Sequence, residues 1–230
     1  MQKLLLAALF IFSTHAHANP LDDQCPTFVQ TTYPVVAKEA HIEYLCHKMY
    51  AVAFDNEQKV PVYVATRVTW EQFGSIHRTN DFKIDPLTTA FDPVKSSDFV
   101  GTQYDKGHLA EAELFTGDEQ AMHESFYMTN MHAQECSFNR GIWKSLETYT
   151  HGLTKQYGEI YIVSGTVYNR TSKTIGRSVT VPSHTWKVIT IPATRSVEAY
   201  MFTNEDHPHE QFKKYRVSLK EIEIATGLKF

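Results

Sequence analysis

Apolar side chains cluster in runs rich in valine, tyrosine and threonine at Met49 to Asp55, Val60 to Thr69, Glu159 to Tyr168, Trp186 to Ile191 and Val197 to Thr203. Short runs of this composition predict strands. They do not alternate with helices as a parallel sheet requires, so the pattern predicts an α+β fold: a central antiparallel or mixed sheet with helices packed on it. Elsewhere the apolar period becomes helical. Ile142, Leu146, Tyr149 and Leu153 fall at spacings of four, three and four, one stripe of a helix from about Ser137 to Gln156. Ser218 and Glu221 form a capping box ahead of Ile222, Ala225 and Leu228, with Gly227 close to the stop, which predicts a C-terminal helix. No repeat, low-complexity tract or long linker divides the chain, so residues 19–230 read as one domain.

The N-terminus sets an expected compartment. Lys3 precedes the apolar run Leu4 to Phe12, and Ala16-His17-Ala18 supplies a small-x-small cleavage pattern. Nine apolar residues are far fewer than the roughly 20 of a spanning helix. Residues 1–18 therefore read as a cleaved signal peptide rather than a membrane anchor, and the mature chain as a periplasmic or secreted protein. An oxidising compartment permits disulfides. Of the three cysteines, Cys25 and Cys46 both precede the first strong strand and are expected to pair, with Cys136 left as a small buried residue. A net charge of −4 argues mildly against a polyanionic partner, although a local cluster of cations would suffice for one.

Two stretches carry candidate chemistry. In Tyr104 to Phe115, YDKGHLAEAELF, a cation and a base, Lys106 and His108, flank Gly107, as if set on a turn. In Phe126 to Glu147, FYMTNMHAQECSFNRGIWKSLE, Asn130 and Asn139 approach the first helix and Glu147 lies on it. In a regular helix Glu147 would be rotated by about 80° and displaced by about 12 Å from Asn139, too far for both to hold one ion directly. Glu147 could still reach water held by that ion, which suits Mg²⁺. A neutral His108 could take a proton from water attacking phosphorus, while Arg78 or Lys106 faced the developing charge.

The pair DKGH and TNMHAQ followed by FNRGIWKSLE resembles the DNA/RNA non-specific endonucleases of the ββα-metal superfamily, and the likeness runs nearly the length of the chain. The resemblance implies His108 as general base, Asn139 as the protein ligand of Mg²⁺, and Glu147 as the holder of metal-bound water; one asparagine and several waters select weakly among hard cations, so Mn²⁺ is a possible substitute. It also implies Asn130 as a support, Arg78 as a transition-state cation, and cleavage of DNA and RNA to 5′-phosphate ends without strong sequence preference. Two positions depart from the family pattern: Lys106 stands in place of an arginine, losing its planar grip on phosphate, and His151 replaces an arginine that some members carry.

Blander readings exist for each residue. Asn139 could cap the helix, Glu147 could pair with Lys144 or His151, and Arg78 could simply face solvent. His207, His209 and Glu210 read as a surface loop, His184 as part of the sheet, and Glu111 with Glu113 as a commonplace carboxylate pair. The sequence lacks the GxSxG, HExxH and P-loop motifs, which removes the minimum parts of serine hydrolases, zincins and nucleotide hydrolases. A non-catalytic nucleic-acid-binding relative and a phosphodiesterase for small substrates remain as alternatives.

Overall fold

The structure is a computed structural model that describes residues 19–25, 27–36 and 41–230; the leader-like residues 1–18 lie outside them. The helices are α1 (Pro20–Gln24), α2 (Glu119–Glu124), α3 (Cys136–Phe138), α4 (Lys144–Tyr157) and α5 (Leu219–Thr226). The strands are β1 (Ile42–Cys46), β2 (Ala51–Asp55), β3 (Val60–Thr69), β4 (Tyr104–His108), β5 (Met131–Glu135), β6 (Glu159–Val167), β7 (Thr174–Ile175), β8 (Val179–Thr180), β9 (His184–Ile191), β10 (Ser196–Thr203) and β11 (Arg216–Val217). All predicted strands form, and β1 adds an edge that was not anticipated. The main sheet runs β1-β2-β3-β6-β9-β10-β11 with antiparallel pairing throughout.

Alternation along the strands divides the core between two faces. Trp186, Val188 and Ala199 pack with Leu21, Phe28, Tyr33 and Ile222, so α1, its following loop and α5 cover one face. Ile160, Ile162, Ile189 and Phe202 pack with Met131, Phe138, Ile142, Trp143 and Leu146 on the other. Burying each such large apolar side chain contributes about 1.5–3 kcal/mol, which holds α4 against the sheet. The C-terminal helix forms as predicted: Ser218 and Glu221 cap it reciprocally, and Gly227 ends it at φ 75°.

β3 and β6 are neighbours in the sheet, yet residues 70–158 lie between them in sequence. That excursion carries β4, β5 and α2 to α4, a two-stranded ribbon followed by a helix on the second core face. Its two ends are clipped together where Trp70 N donates to Gly158 O at 2.9 Å.

Cys25 and Cys46 are joined in a disulfide that fastens the end of α1 to β1. Cys136 departs from expectation: it is half-buried rather than buried, because the first residue of α3 lies at the open end of the ribbon, where its Sγ meets Gln103 O and Asp105 Oδ1. Replacing Cys25 and Cys46 together by serine should lower the urea-unfolding free energy by roughly 3 kcal/mol, the chain-entropy value for a loop of this size.

Candidate active site

The row Asp105 to His108 is not a turn. It lies within β4, paired residue for residue with β5 from Tyr104 opposite Glu135 to His108 opposite Met131. Gly107 serves close approach instead. A Cβ there would stand 2.1 Å from Gln134 Oε1 and 2.6 Å from its Cβ, so only glycine lets the Gln134 side chain lie across the strand. Lys106 and His108, two residues apart, both line one cleft.

His108 is 6% exposed and sits against Phe82 and Phe126, at 5.8 and 5.1 Å between ring centroids. Its Nε2 has no hydrogen-bond partner. Burial, followed by the nearby charges of Arg78 and His132, lowers its pKa from 6.5 to about 3, so the imidazole is neutral across the physiological range. Arg78 stands over the Phe126 ring at 5.1 Å and donates to Asn80 Oδ1 at 2.7 Å. Lys106 Nζ lies 4.7 Å from the Phe82 ring centroid. Asn130 does not reach the cleft. Fully buried, it accepts from Ala110 N at 2.9 Å and donates to Ala110 O and Ser125 O, both at 2.8 Å, which fixes the main chain just after His108.

The helical segment begins where Glu135 accepts a hydrogen bond from Phe138 N at 2.7 Å. It is not a regular helix throughout: Asn139–Trp143 forms a π-helical segment between α3 and α4. The Asn139–Glu147 relation derived for a uniform α-helix therefore does not apply, because a π turn is wider. Gly141 within it faces the His209 ring, whose Nε2 would stand 2.2 Å from a Cβ. Asn139 Nδ2 donates to Asp105 Oδ2 at 2.9 Å, leaving the side-chain carbonyl oxygen as its remaining donor atom for a cation. Arg140 grips the same carboxylate through Nε at 2.8 Å and Nη2 at 2.7 Å. Against the effect of burial, Arg140, Asn139 and Cys136 hold the Asp105 carboxyl below its usual range.

These elements surround a cleft of about 260 Å³ lined by Arg78, Lys106, His108, Glu111, Asn139 and Glu147, with Glu113, Arg140 and Lys144 at its edge. Arg140 and Lys144 were not singled out as site residues from sequence, and Glu111 and Glu113 were set aside; no motif marks them, and only the packing of the Glu111–Phe115 turn against α4 brings them in. His151 pairs with Glu111 at 2.8 Å and Lys144 approaches Glu113 at 3.4 Å, so neither neutralises Glu147 by direct contact. Burial pushes the Glu147 carboxyl well above the ordinary range and the charge of Glu111 pushes it further, while Lys187 and Lys144 oppose both.

Several carboxylates lining one cleft with the Asn139 side chain fit a hard divalent cation, and a cation there would return Glu147 to its ionised form. Ligand atoms of Glu111, Glu113 and His151 also lie within 4.8 Å of one another, a further group able to hold a metal. By contrast, His207 is taken up by Tyr215 at 3.0 Å and Thr203, and His184 begins β9, as the sequence suggested.

The profile of the DNA/RNA non-specific endonuclease family matches residues 29–230. Nuclease EXOG, mitochondrial, of Xenopus laevis is 30% identical over 220 residues; the match covers 86% of this chain and spans 60% of that protein. A nuclease from Nostoc sp. is 31% identical over 193 residues, covering 79% of this chain and 70% of its own length. The crystal structure of the EndoG/EndoGI complex contains a chain that superposes with a TM-score of 0.77 at 27% identity, over 86% of this chain and 87% of that one. With the ribbon-and-helix cleft in place and the family profile spanning nearly all of the described chain, this protein belongs to the DNA/RNA non-specific endonuclease family.

Proposed function

We propose that the chain is a metal-dependent endonuclease that hydrolyses phosphodiester bonds of DNA and RNA without strong sequence preference. The observation that carries this reading is a neutral, buried histidine that lines the same cleft as Asn139, Glu147 and exposed cations. His108, through a ring nitrogen, takes a proton from a water molecule as that water attacks phosphorus, a contribution of about 10²–10⁴ in rate. The bond from phosphorus to the 3′-oxygen breaks, leaving 5′-phosphate and 3′-hydroxyl ends. Arg78, and Lys106 on the cleft floor, face the charge that builds on the phosphoryl oxygens. Asn139, with Glu147 acting through water, would hold Mg²⁺ or Mn²⁺, which supplies a Lewis acid for a nonbridging oxygen and the departing 3′-oxygen. Asn130 keeps His108 in place from behind.

The rim cations Arg78, Arg140 and Lys144 are exposed, which favours a polymer lying across the cleft over a small enclosed substrate. Residues 19–230 act as one endonuclease domain in this reading. Export to the periplasm or medium is supported by the leader-like residues 1–18 and by the disulfide. Among the described residues no helix is long and apolar enough to cross a membrane.

Plasmid DNA and a long RNA should both be degraded by the protein with Mg²⁺, and neither with EDTA. His108→Ala should lose at least 10²-fold of that activity while still retarding DNA in a gel. A wild type inert with several divalent metals yet able to bind DNA would instead establish a binding-only relative.

Acid should weaken the fold through the two buried histidines. Burial lowers both His108 and His132 to about 3. The unfolded chain, with histidine pKa values near 6.5, therefore binds more protons below that pH. Their stabilising contribution is complete above about 6.5 and is lost as the pH falls toward about 3. The melting temperature of His108→Asn should consequently fall less steeply than that of wild type between pH 6.5 and 4; parallel curves would contradict the assignment.

A further inference from the structure

The outer face of α4 carries a pattern that the mechanism does not use. Lys144, Thr148, His151 and Lys155 fall at spacings of four, three and four, one stripe of the helix. Lys144 stands at the edge of the cleft, and Lys155 lies about 16 Å further along the helix axis. Lys144, Thr148 and Lys155 are exposed, and His151 is half-buried.

Two aromatic rings follow this stripe. Trp70 opens the short turn Trp70–Gln72 that follows β3, and it is 42% exposed. Its ring packs on Phe73 at 5.1 Å between centroids, and Phe73 meets the His151 ring edge-on at 5.3 Å. Lys155 Nζ stands 5.7 Å from the centroid of Trp70. Because His151 Nε2 lies 2.8 Å from Glu111, contacts run without a break from the cleft through His151 and Phe73 to Trp70.

A lone exposed aromatic side chain is ordinary. An indole beside a row of cations that starts at a cleft is the combination that binds single-stranded nucleic acid: bases stack on the rings while the cations follow the backbone. The charges are also graded along the stripe. Lys144 and His151, near the cleft, face Glu113 and Glu111. Among the described residues no carboxylate pairs with Lys155, so the unmatched cation is the one beside the exposed indole. A base inside a duplex has both faces covered by its neighbours in the stack, and only an unpaired base presents a free face to Trp70.

We propose that Trp70 and Phe73, with Lys155, form a stacking subsite for unpaired bases of a DNA or RNA single strand that leads away from the cleft. A base arriving on the indole takes the place of the Lys155 ammonium, which turns to the phosphate of the incoming strand. Single strands are then cleaved in preference to duplex. That preference rests on the nuclease reading; the binding at Trp70 does not.

Binding is read on the whole chain with EDTA, so that no cleavage intervenes, and with poly(dT) as the single strand. Trp143 and Trp186 are fully buried, so quenching of tryptophan fluorescence by poly(dT) reports on Trp70. Quenching that saturates with binding is expected. Trp70→Ala should weaken binding of labelled poly(dT) roughly fivefold or more relative to its effect on a duplex, and Trp70→Phe, which keeps a ring, should restore most of the loss. Lys155→Ala should reduce the slope of log affinity against log salt by about 0.7, the share of one phosphate on a single strand. With Mg²⁺, the ratio of kcat/KM for single strand over duplex should fall in Trp70→Ala by the same factor as the binding ratio. Should Trp70→Ala fail to fold, the wild-type quenching and the Lys155→Ala slope still decide. Binding without quenching, or an equal loss on single strand and duplex, would overturn the subsite and leave the nuclease reading standing. Quenching by poly(dT) in a protein that cleaves nothing with any divalent metal would keep the subsite and sink the nuclease reading, and no binding at all would count against both.

Discussion

The Asp105 carboxylate accepts hydrogen bonds from Asn139 and Arg140, and so ties the strand that carries Lys106 and His108 to the turn that begins the helix carrying Glu147. Strand and helix come from segments some thirty residues apart, and neither reaches the other's functional groups through the apolar core. The carboxylate also selects which end of the Asn139 amide remains available, by taking the Nδ2 donor for itself. A side chain that contacts no substrate in the proposed mechanism thus sets both the spacing of the site and the identity of one atom in it.

Around this joint the protein holds two titratable groups away from their ordinary behaviour, in opposite directions and for related reasons. His108 stays neutral because aromatic rings exclude water from it and the nearest formal charge is a cation. Glu147, half-buried, resists ionisation because desolvation and the neighbouring Glu111 carboxylate both disfavour its charged form. One environment favours a free base, the other favours an incoming cation. Desolvation supplies the larger part of each effect, and the sign of the neighbouring charges sets how far each goes.

The main sheet was legible because its central strands are buried on both faces and so carry dense β-branched and aromatic runs. The ribbon that lines the cleft was not. β4 reads Tyr-Asp-Lys-Gly-His, since one side of it faces the cleft and the other the start of the helix, and neither surface calls for apolar residues. Gly107 suggested a turn for the ordinary reason that glycine permits one; only the Gln134 side chain lying across it shows the real constraint. That His108, Asn139 and Glu147 line one cleft agrees with the motifs that singled them out. Glu111 was not so marked, because its place in the cleft depends on the loop after β4 folding back against α4. The π-helical segment left no trace in the apolar stripe, which Ile142 and Leu146 maintain across its boundary.

The clip between Trp70 and Gly158 closes an excursion that leaves the sheet at β3 and returns at β6. Closing so long a loop costs only a few tenths to about 1 kcal/mol more than closing one half or a third as long, yet pairings between distant residues are slow to form. The frame of the cleft is therefore completed by a strand that leaves the ribosome only after every catalytic candidate in the excursion has been made. A nascent chain that has not reached β6 carries the reactive side chains without the scaffold that aligns them, so topology alone delays the onset of activity until most of the molecule exists.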